Sequence, residues 1–323
     1  MAVQSNINKL PLTPSLSKRG KGEFNSQVIT AFGAVYLLWG STYLAIRFVI
    51  ETLPPFLSAG LRFLLAGLIL YAFARLKKGE SAPLRKYWKS AFIIGGFLLL
   101  GGNGSVVWAE RYVPSGLAAL FLAITPLWMV LLEWWWHETR RPSLGVFIGI
   151  GIGFIGVWLL MAPNLLKLGT HSIHLGGALL LLFASLSWSI GSIYSRRSDQ
   201  AKSSYLSTSM QMIAGGILLM LMGMLQGEWA HLHLANFSFK SILAWIYLII
   251  FGSLFGFTTY LWLLKNVGVA RASTYAFVNP VVAIFLGWAL AGERLDAQTA
   301  LAAFFVLVAV ITITIYHKEP ESN

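Results

Sequence analysis

Arg62 and Glu110 are charged residues that fall in or at the edge of long apolar stretches. Ionisable groups in such stretches are rare and tend to be functional. Arg62 lies about seven residues into its stretch, roughly 10 Å along a helix axis. It reads as a gate residue pairing with Glu51 or Glu110, with snorkelling to the surface as the alternative. Glu110 stands beside Arg111. Its plain reading is an exposed interfacial ion pair, worth ~0–1 kcal/mol. Its functional reading is an outer gate partner for Arg62 or for a cationic solute group. Among uncharged groups, Asn103 sits in GGNGS, where glycines let a neighbour or a ligand approach the backbone. Tyr275 and Asn279 are four residues apart and share a helix face, as do Trp39 and Tyr43, with Ser41 between them. Trp128 and Trp188 also fall well inside apolar stretches, where an indole N–H wants a partner. Trp39, Ser41, Tyr43, Asn103, Trp128, Trp188, Tyr275 and Asn279 are the candidate solute-binding residues. An aromatic and amide lining suits a solute with an apolar body and one polar group.

The chemistry that is missing narrows the field. There is no HExxH zinc helix, GxxxxGKS/T phosphate loop or GxSxG elbow. Both aspartates, Asp199 and Asp296, fall in predicted loops, which disfavours a membrane aspartyl protease. Without cysteine the chain has no thiolate metal site, catalytic thiol or disulfide. His171/His174 and His231/His233 have no carboxylate or thiol close by and read as solvated loop histidines. No cofactor and no metal is called for. The net charge of +12 does not point to nucleic acid, because the charges sit between apolar runs rather than on one face.

The elements that must position these residues are membrane helices. Hydrophobic residues make up 57% of the 323, only 11% are charged, and the mean hydropathy is +0.70, a composition outside the range of soluble domains. Residues 1–26 form a polar, basic tail. Ten apolar segments follow, at about 28–50, 56–76, 90–109, 115–134, 143–161, 174–195, 205–226, 241–263, 270–291 and 297–316, each near the ~20 residues that span a bilayer. Of 24 Lys and Arg, 18 fall in tails and loops on one side and 4 on the other. The basic side faces the cytoplasm, so both termini are expected there. Gly145, Gly149 and Gly153 form a small-residue packing face.

Two segments, the fourth and the ninth, carry a mid-depth proline, Pro126 and Pro280, 154 residues apart. Each removes a backbone donor and is expected to break its helix, freeing the carbonyls of Leu122 and Ala276. Gly40-Ser41-Thr42-Tyr43 also matches Gly191-Ser192-Ile193-Tyr194. Five segments per half is an odd number, so the halves enter the membrane from opposite sides. The expected fold is an all-α integral membrane protein with ten transmembrane helices as two inverted five-helix repeats, 27–161 and 174–316.

The stretches WGSTYLAIR (Trp39 to Arg47), LPPFLSAGLRFLLAG (Leu53 to Gly67), SWSIGSIYSRR (Ser187 to Arg197) and AFVNPVVAIFLGWALAGERL resemble the EamA family of the drug/metabolite transporter superfamily. The resemblance covers about residues 30 to 316, and its most specific motif is the NP–GE pattern ending in Gly292-Glu293. The first half departs from it, with Thr125 for Asn and His137-Glu138 for Gly-Glu. The resemblance implies ten helices, a central cavity and alternating access, usually exporting amino acids, metabolites or xenobiotics. The expected cavity is built by segments 1, 3, 4, 6, 8 and 9. The expected function is therefore a secondary transporter of the bacterial inner membrane, not an enzyme. Its partners are a small organic solute and the lipid bilayer, with a homodimer as a further candidate. The rival is an integral-membrane enzyme or lipid-handling protein centred on Glu110 and Arg111. With Glu110 at an interface and no histidine at mid-depth, transport is expected to run on the solute's own gradient.

Overall fold

A computed structural model describes residues 26–76, 83–136, 143–166, 174–293 and 296–316. The basic tail, part of the second connection, His137-Glu138, His171 and Arg294 lie outside the described residues. Among the described residues all regular structure is helical. In chain order the helices are α1 (Ser26–Val49), α2 (Pro55–Leu76), α3 (Arg85–Ala109), α4 (Ser115–Trp135), α5 (Leu144–Leu166), α6 (Leu175–Arg197), α7 (Ser204–Leu225), α8 (Phe239–Val267), α9 (Val269–Ala272 and Tyr275–Ala291) and α10 (Ala297–Tyr316). Seven of them, α1 to α4 and α6 to α8, are long and apolar enough to cross a membrane. The other three hold shorter apolar stretches, Leu144–Gly156, Val278–Ala291 and Ala297–Ala309. In hydrocarbon a helix is the form that satisfies each backbone group internally.

Where helices begin, the backbone needs outside help. The first N–H groups of a helix have no intrahelical acceptor, and a carboxylate there also meets the positive end of the helix dipole. Two glutamates supply this from distant connections. Glu228 accepts from Phe56 N and Leu57 N at 3.0 and 2.8 Å, capping α2. Glu293 accepts from Ser115 N at 2.9 Å, Ser115 Oγ at 2.6 Å and Gly116 N at 3.1 Å, capping α4. Gly292 supports this by taking a left-handed φ of 67° at the end of α9, which turns the chain back toward α4. His174 caps α6 through Nδ1, which accepts from Gly177 N at 3.2 Å, and its ring stacks on Tyr112. It is an exposed residue of the connection, as expected, that also caps the helix it precedes.

The packing follows a rule. α2 packs on α7, α4 on α9 and α5 on α10; α1 packs on α9 as α4 does on α6, and α3 on α6 as α1 does on α8. Among these pairs, replacing each helix number n by n+5, and n+5 by n, returns the same set; α1 also packs on α4, which α6 does not match on α9. Small residues allow the closest approaches. A Cβ on Gly216 of α7 would lie 2.9 Å from the Gly60 carbonyl of α2. In α5, Gly145 faces Tyr316 and Gly153 faces Ala309 of α10, so the small-residue face is used within the chain.

Two helices depart from α geometry along their middles. α3 is π-helical over Gly96–Gly104, and α8 over Leu248–Phe257. The added residue per turn displaces carbonyls from their usual donors, and such segments recur at functional sites.

Candidate functional site

The two π segments meet the two interrupted helices at the centre of the bundle, around a cavity of about 70 Å³. Its walls come from α1 (Trp39, Thr42, Tyr43, Ile46), α2 (Arg62, Phe63), α3 (Leu99, Gly102, Asn103, Val106), α4 (Leu122), α6 (Ala184, Trp188), α8 (Gly252, Phe257) and α9 (Tyr275, Asn279). These are the six expected helices plus α2, which the sequence had assigned to a gate. The volume admits a few waters, at about 30 Å³ each, and is well below the ~300–1,000 Å³ typical of ligand sites.

One side of the cavity is an aromatic cluster. Trp39 meets Trp188 edge-on at 5.4 Å and Tyr275 edge-on at 5.0 Å between ring centres. Tyr260 lies 4.9, 5.4 and 5.5 Å from Trp39, Trp188 and Tyr275. Trp188 Nε1 donates to the Tyr260 hydroxyl at 3.1 Å, which also bonds Ser192 Oγ at 2.7 Å. Tyr260 was not among the expected site residues, although its place in a run of polar residues, Thr258-Thr259-Tyr260, was visible. The π segments are tied to this cluster through their displaced carbonyls. Trp39 Nε1 donates to Gly252 O in α8 at 3.1 Å, and Ser187 Oγ donates to Phe97 O in α3 at 2.7 Å. Glycine makes both crossings feasible: a Cβ on Gly256 would lie 2.4 Å from Trp39 Nε1, and one on Gly101 2.2 Å from Ser187 Oγ.

The opposite side is polar. Arg62 Nη2 donates to Asn103 Oδ1 at 3.2 Å. The expected pairing of Arg62 with an acid does not form. Glu51 instead meets Lys240 at 2.5 Å, and both Glu110 carboxylate oxygens are buried without a hydrogen-bond partner. Glu110 is 0% exposed rather than an interfacial ion pair. Its neighbour Arg111 turns away, with its guanidinium 4.4 Å above the Trp108 ring. Arg47 Nη1 donates to Glu110 through the main-chain oxygen, at 2.6 Å. Glu110 lies just past the end of α3 and does not line the cavity. Desolvation, reinforced by the nearby Glu293 carboxylate and opposed by Arg47, holds its carboxyl well above the usual carboxylate range. Glu110 is therefore a buried acid rather than an interfacial one, while the cavity lining itself holds no carboxylate or imidazole, as expected.

Both prolines are buried, and both interrupted helices reach the cavity. α4 breaks at Ala123–Ile124, immediately before Thr125-Pro126, and the freed Leu122 carbonyl accepts from Thr125 Oγ1 at 2.6 Å. α9 does not break at Pro280, as expected, but at Ser273–Thr274. Thr274 N donates to Arg271 O at 3.2 Å and Thr274 Oγ1 to the same carbonyl at 2.7 Å, closing a tight turn there. The fixed φ of proline fits a helix, so the chain stays helical past Pro280. Asn279 stands just before Pro280: with its amide turned so that the nitrogen faces carbonyls, it donates to Tyr275 O at 3.1 Å and to Tyr36 O of α1 at 3.2 Å.

Of the candidate solute contacts, Trp39, Tyr43, Asn103, Trp188, Tyr275 and Asn279 come together on the cavity. Ser41 and Trp128 do not line it. Ser41 Oγ bonds Tyr247 Oη at 2.6 Å, between α1 and α8, and Trp128 Nε1 donates to Ser185 Oγ at 3.0 Å, between α4 and α6.

Comparison with known proteins supplies the family. The pattern of the EamA-like transporter family matches twice, over residues 26–162 and 175–315. The chain is 38% identical over 294 residues to the inner membrane transporter YedA of Escherichia coli (strain K12), covering 90% of this chain and 92% of that one. It is 21% identical over 295 residues to the transporter YoaV of Bacillus subtilis (strain 168), covering 89% and 97%. It is also 25% identical to a chloroplastic WAT1-related protein of Arabidopsis thaliana, covering 89% of this chain and 68% of that protein. A crystal structure at 21% identity superposes with a TM-score of 0.66 over 90% of this chain and 97% of its own, which shows a shared fold. With that pattern matched in both halves, and a relative of 38% identity spanning nine-tenths of its length, the chain belongs to the EamA-like transporter family.

Proposed function

We propose that this chain is a secondary transporter that carries small organic solutes, such as amino acids, metabolites or xenobiotics, outward across a bacterial inner membrane by alternating access. On this reading residues 27–161 and 174–316 are inverted five-helix repeats, and both termini are cytoplasmic. The observation that carries the reading is the position of the cavity, where one π-distorted helix and one interrupted helix from each half meet. The packing rule supports the repeat. So does the spacing of irregularities: the π segments begin 152 residues apart, at Gly96 and Leu248, and the helix breaks 150 apart, at Ala123 and Ser273. These irregular turns are where an α-helical bundle bends most readily, and a cavity of about 70 Å³ must widen before it takes a solute.

Trp39, Tyr43, Asn103, Trp188, Tyr275 and Asn279 are the proposed solute contacts, with Ser41 and Trp128 bracing the helices that carry them. Pro126 and Pro280 mark the interrupted helices. The enzyme reading finds no support at Glu110 and Arg111, whose charged groups face different surroundings. The test is counterflow in proteoliposomes with a panel of amino acids, organic acids and amines. At least one solute is expected to exchange faster than in protein-free vesicles; no exchange by any of them would contradict transport.

A further inference from the structure

We infer that the cavity recognises the carboxylate of its solute through Arg62, and that the solute class is an aromatic organic monoanion. This rests on the transport reading and names the substrate class for the same cavity. Arg62 is 4% exposed, faces the cavity, and has one hydrogen-bond partner, the neutral amide of Asn103; its Nε has none. Among the described residues no acid lies within ion-pair distance of it. Glu51 is held by Lys240, Glu133 lies 3.7 Å from Arg196, Glu228 and Glu293 cap helices, and Glu110 does not line the cavity.

A guanidinium presents five donors in a rigid fork that matches a carboxylate. The Arg62 guanidinium lies 4.1 Å from the centre of the Phe63 ring, but most of its fork is unused and it has no anionic partner, which a bound carboxylate would supply. The other wall explains the rest of the solute. The faces and edges of Trp39, Trp188 and Tyr275 offer a flat ring an apolar, edge-to-face environment. The charge count sets the valence. One cation with no second basic group on the cavity suits a monoanion better than a phosphate dianion. A zwitterion would bring an ammonium with no lining carboxylate to receive it, and a cation would meet Arg62 directly.

The test uses the full chain in lipid nanodiscs, with binding read by calorimetry for phenylacetate and indole-3-acetate, their amides, and phenethylamine and tryptamine. Each acid is expected to bind roughly tenfold or more tightly than its amide, and Arg62→Gln to erase that difference. Arg62→Lys keeps the charge but loses the fork, and is expected to weaken the acids while leaving the amides unchanged. This second variant carries the test if Arg62→Gln does not elute as a single species. Acids no tighter than amides, an acid preference that survives Arg62→Gln, acid binding unchanged in Arg62→Lys, or no acid binding at all would each overturn the inference. Counterflow keeps the two claims apart. Exchange of an amide or amine without acid preference removes the anion inference and leaves transport standing. Acid-selective binding that is lost in Arg62→Gln, but without counterflow of any bound solute, supports the site and removes transport.

Discussion

In α4 the break is closed within its own helix, where the Thr125 hydroxyl takes the Leu122 carbonyl; in α9 the residue before the proline, Asn279, also reaches Tyr36 of α1. α9 is then tied a second time, since Glu293 at its end holds the first turn of α4. The interrupted helix of the second half is thus bonded to two helices of the first half through side chains beside its proline and at its end, while the break of α4 meets the second half through its main chain, where Ser189 Oγ of α6 donates to Thr125 O at 3.3 Å. A rearrangement of α9 must carry α1 and α4 with it or break those bonds. The side chain beside each proline acts differently, local at Thr125 in α4 and reaching α1 at Asn279 in α9, so substitution of Asn279 is expected to disturb the contact between the halves more than substitution of Thr125.

The comparison can be broken by substitution. Asn279→Leu removes the donor from two carbonyls, and each unsatisfied buried group costs about 1–3 kcal/mol. Transport is expected to fall roughly tenfold or more, with α1 labelled or cross-linked differently against α9. Glu293→Ala strips the acceptor from two N–H groups and one hydroxyl at the start of α4, and is expected to cost about 1–3 kcal/mol in denaturant midpoint. Glu293→Gln should recover part of this, because an amide oxygen still accepts. Thr125→Val removes one local bond and is expected to cost about 1 kcal/mol with little change in rate. If Thr125→Val slowed transport as much as Asn279→Leu, the asymmetry between the breaks would be wrong.

The smallest effect is expected at Glu110, a buried acid that, unlike Glu293, caps nothing. Arg47 and Tyr43 of α1 and Glu293 beyond α9 are the charged or titratable groups that act on it. Because its carboxyl is raised in the folded protein, the folded state binds the extra proton. Stability is then greatest at low pH and falls as pH rises above the unfolded value of 4.5 toward the raised one. Glu110→Gln should flatten that slope. Solute flux under an imposed pH gradient, in wild type and Glu110→Gln, checks whether the same proton is coupled to transport; equal flux in both would confine Glu110 to stability.

The sequence displays the helices plainly because twenty-residue apolar runs leave few other folds in lipid. Pro126 and Pro280 likewise lead to the cavity. The position of the α9 break was not legible, because the fixed φ of proline fits a helix, so α9 runs through Pro280 and turns earlier, at Ser273–Thr274. The π segments leave little trace in residue type beyond glycines, at Gly101-Gly102 and at Gly252 and Gly256, since they are defined by backbone bonds. Arg62 was visible as a buried charge, but its partner depends on the rotation of α2 against α3, which no local pattern encodes. For the same reason the Glu of the NP–GE motif was recognisable, yet its role as a cap for α4 depended on a contact across 178 residues.

The central claim is that the cavity opens to each side of the membrane in turn. The natural chain has no cysteine, so a single Ala184→Cys on the cavity wall of α6 gives an unambiguous reading with a membrane-impermeant thiol reagent. The account predicts slow labelling from either face in vesicles of both orientations, and protection from both faces by a bound solute. Labelling from one face only, or from neither, in a preparation that still exchanges solute would contradict it.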